Sequence, residues 1–307
     1  MTMLVTDREV TDVLDAATTV AAMREALLAA YDGRLVAPPR ASAPLDGGRM
    51  VLTAGHLSGE WYGFRSYDTL GLPESEQLVV LHDARTGAVR AVAVGEELGS
   101  RRTGGLGGVA VDALARPDAT TLAVIGSGRQ AWTQVWAAAA VRPLRQIRVQ
   151  SRSAARRAAF AERVRAELGV PAEPVGSARE AVAGADIVVL ATTSVTPVLD
   201  AADLAPGTHV NAVGFKQTDR HEFGTDLLDR ADLLVTDSPA QAAAYAPPML
   251  AAVEPYAGRL RDLGAVLAGA VPGRTGATPA DHPLGVLHRD PALRLLDEGD
   301  RGDDDQD

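Results

Sequence analysis

The ten residues Leu122–Ala131, LAVIGSGRQA, constrain the fold more tightly than any other part of the chain. An apolar run, Thr121–Ile125, enters G-x-G-x-x-A, and the pattern of Arg129–Ala140 behind it is helical. Gly126 permits a tight turn, and Gly128 lets backbone approach a pyrophosphate. The small Ala131 lets the new helix pack against the strand, and the helix N-terminus favours the anion. Ser127, Arg129 and Gln130 complete this predicted phosphate cradle. Locally, a glycine turn that merely joins a strand to a helix would look the same. The following chain argues otherwise. Strand patterns at Gln146–Gln150, Asp186–Thr192, His209–Val213 and Leu233–Thr236 alternate with helical ones at Ser153–Leu168 and Ala178–Ala183. Repeated β-α-β spacing predicts an α/β fold with a Rossmann-type, doubly wound parallel sheet.

The chain before Arg116-Pro117-Asp118 is different. A short strand at Leu4–Val5 precedes a helix over Arg8–Leu14 capped from Thr6–Asp7, and a second helix is expected at Val20–Tyr31. Strands follow at Met50–Thr53, Trp61–Tyr67, Leu78–Asp83 and Ala88–Val94, the last two joined by the turn Ala84-Arg85-Thr86-Gly87. This part predicts a second, α+β domain with antiparallel strands. At 307 residues, two domains are what the length supports, since domains run to about 100–200 residues. The expected division is 1–117 and 118–273. After Pro272–Pro283 a weak helical pattern runs to Leu296, and residues 298–307 are expected to form a disordered acidic tail.

Composition removes several classes of function. The chain has no cysteine, which excludes disulfides, thiol nucleophiles and cysteine-ligated metals. No His/Asp/Glu spacing resembles a metal ligand set, so no metal site is expected. A net charge of −10 argues against nucleic acid or an anionic membrane as partner. No apolar run approaches the ~20 residues needed to span a bilayer, and the charged N-terminus is unlike a signal peptide. The expected location is the cytoplasm.

The second strand of such a domain should end in the residue that reads the adenosine ribose, an acid when the cofactor is NAD. Here the strand runs into Val149-Gln150-Ser151-Arg152-Ser153, with Arg156 one turn further on. Hydroxyl plus guanidinium suits a 2′-phosphate, so NADP(H) is favoured over NAD(H). The alternative is that Arg152 and Arg156 belong, with Arg157 and Arg163, to a solvated basic helix face.

Arg102-Thr103-Gly104-Gly105, then Gly126-Ser127-Gly128-Arg129-Gln130-Ala131, then Ala191-Thr192-Thr193-Ser194 and Ala212-Val213-Gly214 resemble the ornithine cyclodeaminase/mu-crystallin family in order and spacing, from about Leu4 to Gly273. The resemblance implies a homodimer of two-domain subunits. In it the N-terminal part, completed by the returning segment 274–297, binds substrate and dimerises, while the middle binds nicotinamide cofactor. Family chemistry is hydride exchange between nicotinamide and an amine or imine carbon beside a carboxylate. Arg40, in Pro38-Pro39-Arg40, matches an arginine that grips the substrate carboxylate, and Arg102 matches a second. Thr103, Thr192, Ser194 and Val213 match cofactor-pocket positions, together with Thr193 and Gly214.

Two positions depart from the family pattern. Arg65 stands where family enzymes carry a lysine that contacts substrate and assists proton transfer; arginine keeps the charge but holds its proton. Lys216 follows Gly214-Phe215 where cyclodeaminases carry a catalytic aspartate. The Asp281-His282-Pro283-Leu284-Gly285 ending also departs.

The leading expectation is therefore an NAD(P)H-dependent reductase of an imine, or a ketone, in a carboxylated small molecule. A cyclodeaminase and a non-enzymatic protein binding NADPH and a ligand are the alternatives. Arg65, Arg102 and Lys216 are the candidate catalytic residues, and Arg40, Arg65 and Arg102 the candidate substrate ligands. Lys216, the only lysine, is expected to face nicotinamide as a general acid, against the alternative of a surface lysine paired with a carboxylate. His221-Glu222 could supply acid–base function, though a solvated loop is the simpler reading, and His56 and His82 read as packed or surface residues.

Overall fold

The computed structural model describes residues 2–274 and the backbone of Leu284–Leu287. The chain has an α/β fold divided into two compact units: among the described residues, 2–15 with 29–99, and 16–28 with 100–274 and 284–287.

The first unit opens with β1 (Met3–Val5) and α1 (Asp7–Val13), which starts with a capping box between Thr6 and Glu9. After α2 (Ala16–Tyr31), which runs out of the other unit, come β2 (Leu35–Val36), β3 (Ala41–Leu45) and β4 (Gly48–Leu57). Then follow β5 (Trp61–Asp68), β6 (Leu78–Asp83) and β7 (Val89–Val94). The sheet order is β1-β7-β6-β5-β4-β2, with β3 also paired to β4; only β1 joins in parallel. The β6–β7 turn is the predicted one. Gly87 sits at φ +72°, and the Asp83 carboxylate accepts from the amides of Arg85 and Thr86, both at 3.0 Å. The three-strand register places Leu52, Ser66 and Leu78 on one face, with Phe64 and Tyr62 on alternate rows. Met50, Leu52, Tyr62, Phe64 and Leu78 are all exposed, so this face is apolar and open. The opposite face carries Thr53, Arg65, Val79, Val51 and Tyr67.

The second unit contains α3 (Glu97–Leu114), β8 (Thr121–Ile125), α4 (Arg129–Val141), β9 (Gln146–Gln150) and α5 (Ala154–Leu168). These lead to β10 (Ala172–Pro174), α6 (Ala178–Val182), β11 (Ile187–Leu190) and β12 (His209–Ala212). A two-stranded hairpin, β13 (Lys216–Gln217) and β14 (Arg220–His221), precedes α7 (Thr225–Arg230), β15 (Leu234–Thr236) and α8 (Pro239–Ala244). Last come β16 (Leu260–Asp262), α9 (Leu263–Leu267) and β17 (Leu284–Leu287). All pairings in the eight-stranded sheet are parallel, in the order β10-β9-β8-β11-β12-β17-β15-β16. One face buries Ala123, Ile125, Val188, Leu190, Val210 and Ala212 with Phe223 and Leu227. On the other, Val235 joins a cluster with Val20, Leu27, Val109, Leu114 and Leu263. Helices thus cover both faces, as a doubly wound sheet requires.

Helix α3 was not expected, because glycines at 99, 104, 105, 107 and 108 lower helix propensity by about 1 kcal/mol each relative to alanine. Packing reverses that preference. A Cβ on Gly104 would collide with the Thr133 carbonyl of α4, one on Gly107 with the Gln134 side chain, and one on Gly108 with Val20 of α2. The glycines let three helices approach to backbone distance, and Val109, Ala110 and Leu114 are wholly buried as a result.

Two expectations about the chain's divisions change accordingly. The compact unit begins at Ser100 and takes in 16–28, not at residue 118, because α2 and α3 share one core with α4. Leu284–Leu287, expected within a helical segment completing the first domain, is a strand paired between β12 and β15. A short apolar run cannot be assigned to helix or strand by pattern alone, and the open sheet position decides it. The rest of the expected completing segment and the acidic tail 298–307 lie outside the described residues.

Candidate cofactor and substrate site

Chain order leaves β8 for β9 and β10 on one side, then returns to β11 on the other. The crevice at the carboxyl ends of β8 and β11 is therefore the topological switch point, where open α/β sheets take their ligands. Gly126 lies there at φ +123°, and a Cβ on it would strike the Ala191 carbonyl at the end of β11. Its amide donates to the Gln150 carbonyl at 2.8 Å, which ties the turn to the end of β9. Gly128 is the N-cap of α4 and gives it no side-chain cap. A Cβ at Gly128 would meet nothing within 4 Å, so open space lies in front of the helix's first turn. The buried Gln130 Oε1 has no hydrogen-bond partner among the described residues. An uncapped helix start facing open space fits a dinucleotide pyrophosphate. Ala131 is fully buried against the sheet, as its small size predicted.

At the end of β9, Ser151 is held by its own loop: its hydroxyl donates to the Ser153 carbonyl at 3.2 Å, and its carbonyl accepts from Arg157 at 3.0 Å. Arg152 and Arg156 are exposed beside it, with Ser153 capping α5. Arg157 is thus structural, while the two exposed arginines border the place where the ribose reader is expected.

The loops after β11 and β12 meet at Glu222, a residue whose sequence setting suggests a solvated loop. Glu222 is fully buried. Its carboxylate accepts from the Thr192 amide and hydroxyl, both at 2.8 Å, and from the Gly214 amide. Its backbone accepts from Val198 and donates to Phe215, at 2.9 and 2.8 Å. The loops after β11 and β12 are therefore tied together through Glu222. Burial pushes its pKa above the ordinary carboxylate range, while the donors from Thr192, the Lys216 charge and the Gly214 amide pull it down. Lys216 is buried as well, so the surface-lysine alternative is excluded. Its Nζ donates to the carbonyls of Val213 at 3.0 Å and Gly214 at 2.8 Å. Ser194 turns the β11 loop, donating to the Thr196 carbonyl at 2.6 Å and receiving the Thr196 amide at 3.3 Å. Thr193 stands between Thr192 and Ser194, half-buried.

Thr103, buried on α3, gives its carbonyl to Gln134 Nε2 at 3.0 Å. Gln134 continues to Asn211, and Asn211 to His209 Nε2 at 2.8 Å, a buried polar chain in one unit. Arg102 is half-buried on the same helix.

In the first unit, Arg40 and Arg65 are brought together by Tyr67. Arg40 Nη1 donates to its hydroxyl at 3.0 Å, and the Arg65 guanidinium lies 4.4 Å from its ring centre. Nothing in the sequence marked Tyr67 beyond its place two residues from Arg65 on one strand face. His82 stacks on Tyr62, with ring centres 4.7 Å apart, and its Nδ1 meets the Gly87 carbonyl, so it is part of the β6–β7 hairpin.

Comparison with known proteins gives the family and the fold. A profile of the ornithine cyclodeaminase/mu-crystallin family matches residues 1–279. Delta(1)-pyrroline-2-carboxylate reductase of Bacillus cereus is 37% identical over 161 residues, covering 52% of this chain and 49% of that protein. Ketimine reductase mu-crystallin of Mus musculus is 26% identical over 227 residues, covering 74% and 70%. The solved structure of Thermococcus litoralis Delta(1)-pyrroline-2-carboxylate reductase in complex with NADH and L-proline matches with a TM-score of 0.84 at 27% identity, covering 95% of this chain and 93% of that one. The matched stretch spans 49%, 54% and 66% of the length of three of the curated relatives.

Proposed function

Because the chain belongs to the ornithine cyclodeaminase/mu-crystallin family, we propose that it is a nicotinamide-dependent reductase of a carbon–nitrogen double bond beside a carboxylate. The observation that carries the reading is the crevice at the ends of β8 and β11, with the uncapped α4 N-terminus behind it. When bound there, the nicotinamide supplies or accepts the hydride. Gly126, Ser127, Gly128, Arg129, Gln130 and Ala131 would hold its pyrophosphate. Thr192, Thr193, Ser194, Val213 and Gly214 would line its other end, and Thr103 is retained on its motif.

Arg40 and Arg65, paired through Tyr67, offer two fixed cations for a carboxylate. Arg102 is carried as a further carboxylate ligand on its motif alone. Two half-buried guanidiniums side by side attract carboxylates and repel an ammonium group. The substrate in this reading therefore has no distal amine, which sets ornithine and lysine aside. A reductase is favoured over a cyclodeaminase because no carboxylate stands in Gly214-Phe215-Lys216, where the lyase needs one.

For the cofactor, the exposed Arg152 and Arg156 beside Ser151, with no acid at the end of β9, support NADP(H) over NAD(H). For assembly, the open apolar face of Met50, Leu52, Tyr62, Phe64 and Leu78 supports a homodimer, with a second copy of the chain covering it.

The test is turnover of Δ1-pyrroline-2-carboxylate with NADPH, followed by loss of the reduced-nicotinamide absorbance. Stoichiometric consumption of NADPH is expected. Ammonia release from ornithine with no net change in cofactor would replace the reductase with the lyase.

A further inference from the structure

Gly214 is held on both sides of its backbone. Its amide donates to the Glu222 carboxylate and its carbonyl accepts from the Lys216 ammonium at 2.8 Å. The two charged residues reach it from one hairpin: Lys216 lies on β13 and pairs with His221 of β14, the residue before Glu222. Glu222 also grips Thr192 through two donors, and Lys216 also grips the Val213 carbonyl. Gly214 has no side chain to separate them, since a Cβ there would run into Glu222 and the Thr192 carbonyl.

We infer that Glu222 and Lys216 are positioning residues that set the nicotinamide end of the cofactor pocket by clamping the Gly214 backbone between opposite charges and, through Glu222, tying it to Thr192. This rests on the reading that Thr192, Val213 and Gly214 line that end. Three features support a clamp over an ordinary structural ion pair. The pair acts on the backbone ends of two adjacent strands, β11 and β12. It leaves no carboxylate oxygen free, because one takes both Thr192 donors and the other takes Gly214. Each member is buried, so removing one alone leaves a charge without its opposite, whereas removing both does not. Lys216 in this role holds carbonyls and needs no proton transfer, so an arginine could replace its charge.

The experiment compares two ligands by isothermal titration on the full-length chain: NADPH, and 2′-phospho-ADP-ribose, which has no nicotinamide. Glu222→Gln and Lys216→Met should each weaken NADPH by about tenfold, the value of a lost charge-assisted contact. Binding of 2′-phospho-ADP-ribose should stay within about twofold of wild type. The double variant Glu222→Gln/Lys216→Met should bind NADPH better than the product of the two single losses predicts. Where a single variant does not fold, the double variant should fold and bind NADPH, and failure of the double variant to fold would overturn the clamp. Lys216→Arg should recover part of the NADPH affinity lost in Lys216→Met. Equal losses for both ligands, no loss for either, or strictly additive effects would overturn the clamp. If wild type binds 2′-phospho-ADP-ribose and NADPH alike but the variants match it, the clamp alone fails. If wild type binds neither, the same comparison is run with NADH and ADP-ribose; binding of none of the four overturns the dinucleotide reading and the clamp with it.

Discussion

Arg40 donates a hydrogen bond to the hydroxyl of Tyr67 at 3.0 Å, from a loop to the buried face of a strand. Tyr67 is 3% exposed, so its ring is an immobile support, and Arg65 rests on that ring. One aromatic residue thus orders two guanidiniums that would otherwise repel and spread.

Replacing Tyr67 by phenylalanine removes the Arg40 contact and keeps the ring under Arg65. The KM for a carboxylated imine should rise about five- to tenfold, the scale of one ordinary hydrogen bond acting indirectly through Arg40, with kcat within about twofold. Tyr67→Leu should lose both supports and raise KM further. Steady-state kinetics decide it, and an unchanged KM in both variants would show that Tyr67 orders nothing the substrate uses.

Arg152 is exposed at the end of β9, where no acidic ribose reader stands. Arg152→Ala should weaken NADPH roughly tenfold or more, the effect of one charge-assisted phosphate contact, and leave NADH within about twofold. Titration of both cofactors measures this directly. Equal affinity of the wild-type protein for NADPH and NADH would count against the NADP preference.

His209 is fully buried in β12, and desolvation lowers its pKa from 6.5 to about 4 despite its bond to Asn211. The unfolded chain binds this proton from about pH 6.5 downward and the folded chain only near pH 4. Stability contributed by the neutral ring is therefore complete above pH 6.5 and lost progressively as pH falls toward 4. Between pH 7 and 5 the loss amounts to about 2 kcal/mol. Urea unfolding of wild type and His209→Gln at both pH values should show this decrement in wild type and its absence in the variant. Parallel pH profiles would remove His209 from the account.

At Gly104, alanine would gain about 1 kcal/mol of helix propensity but press on the Thr133 carbonyl. A backbone oxygen cannot rotate away, and overpacking costs about 1–3 kcal/mol, so the clash wins and Gly104→Ala should lower the Tm. Gly128→Ala makes the contrast: its Cβ meets no atom of the described residues within 4 Å, so the fold should survive while dinucleotide binding weakens. Thermal melts with and without NADPH separate the two, and a raised Tm in Gly104→Ala would contradict the close helix contact.

The strand–glycine–helix run at 122–131 and the βα repeats behind it were legible in the residues, because a buried parallel sheet demands local apolar strands and a phosphate turn demands glycine at fixed spacing. The antiparallel strands of the first unit and the turn at Gly87 were legible for the same local reason. Other features depend on partners distant in sequence. Glycine-rich α3 is a helix because α2 and α4 need its missing side chains, which no propensity scale records. Leu284–Leu287 is a strand because the sheet leaves a place between β12 and β15. Tyr67 matters through Arg40, on another segment. Glu222 and Lys216 are short polar positions in a turn-rich stretch, and only the folding of β13 against β14 buries their opposite charges on either side of one glycine peptide. Local pattern carries the periodicity of elements, but burial, close approach and charge pairing are properties of contacts, and contacts are decided in three dimensions.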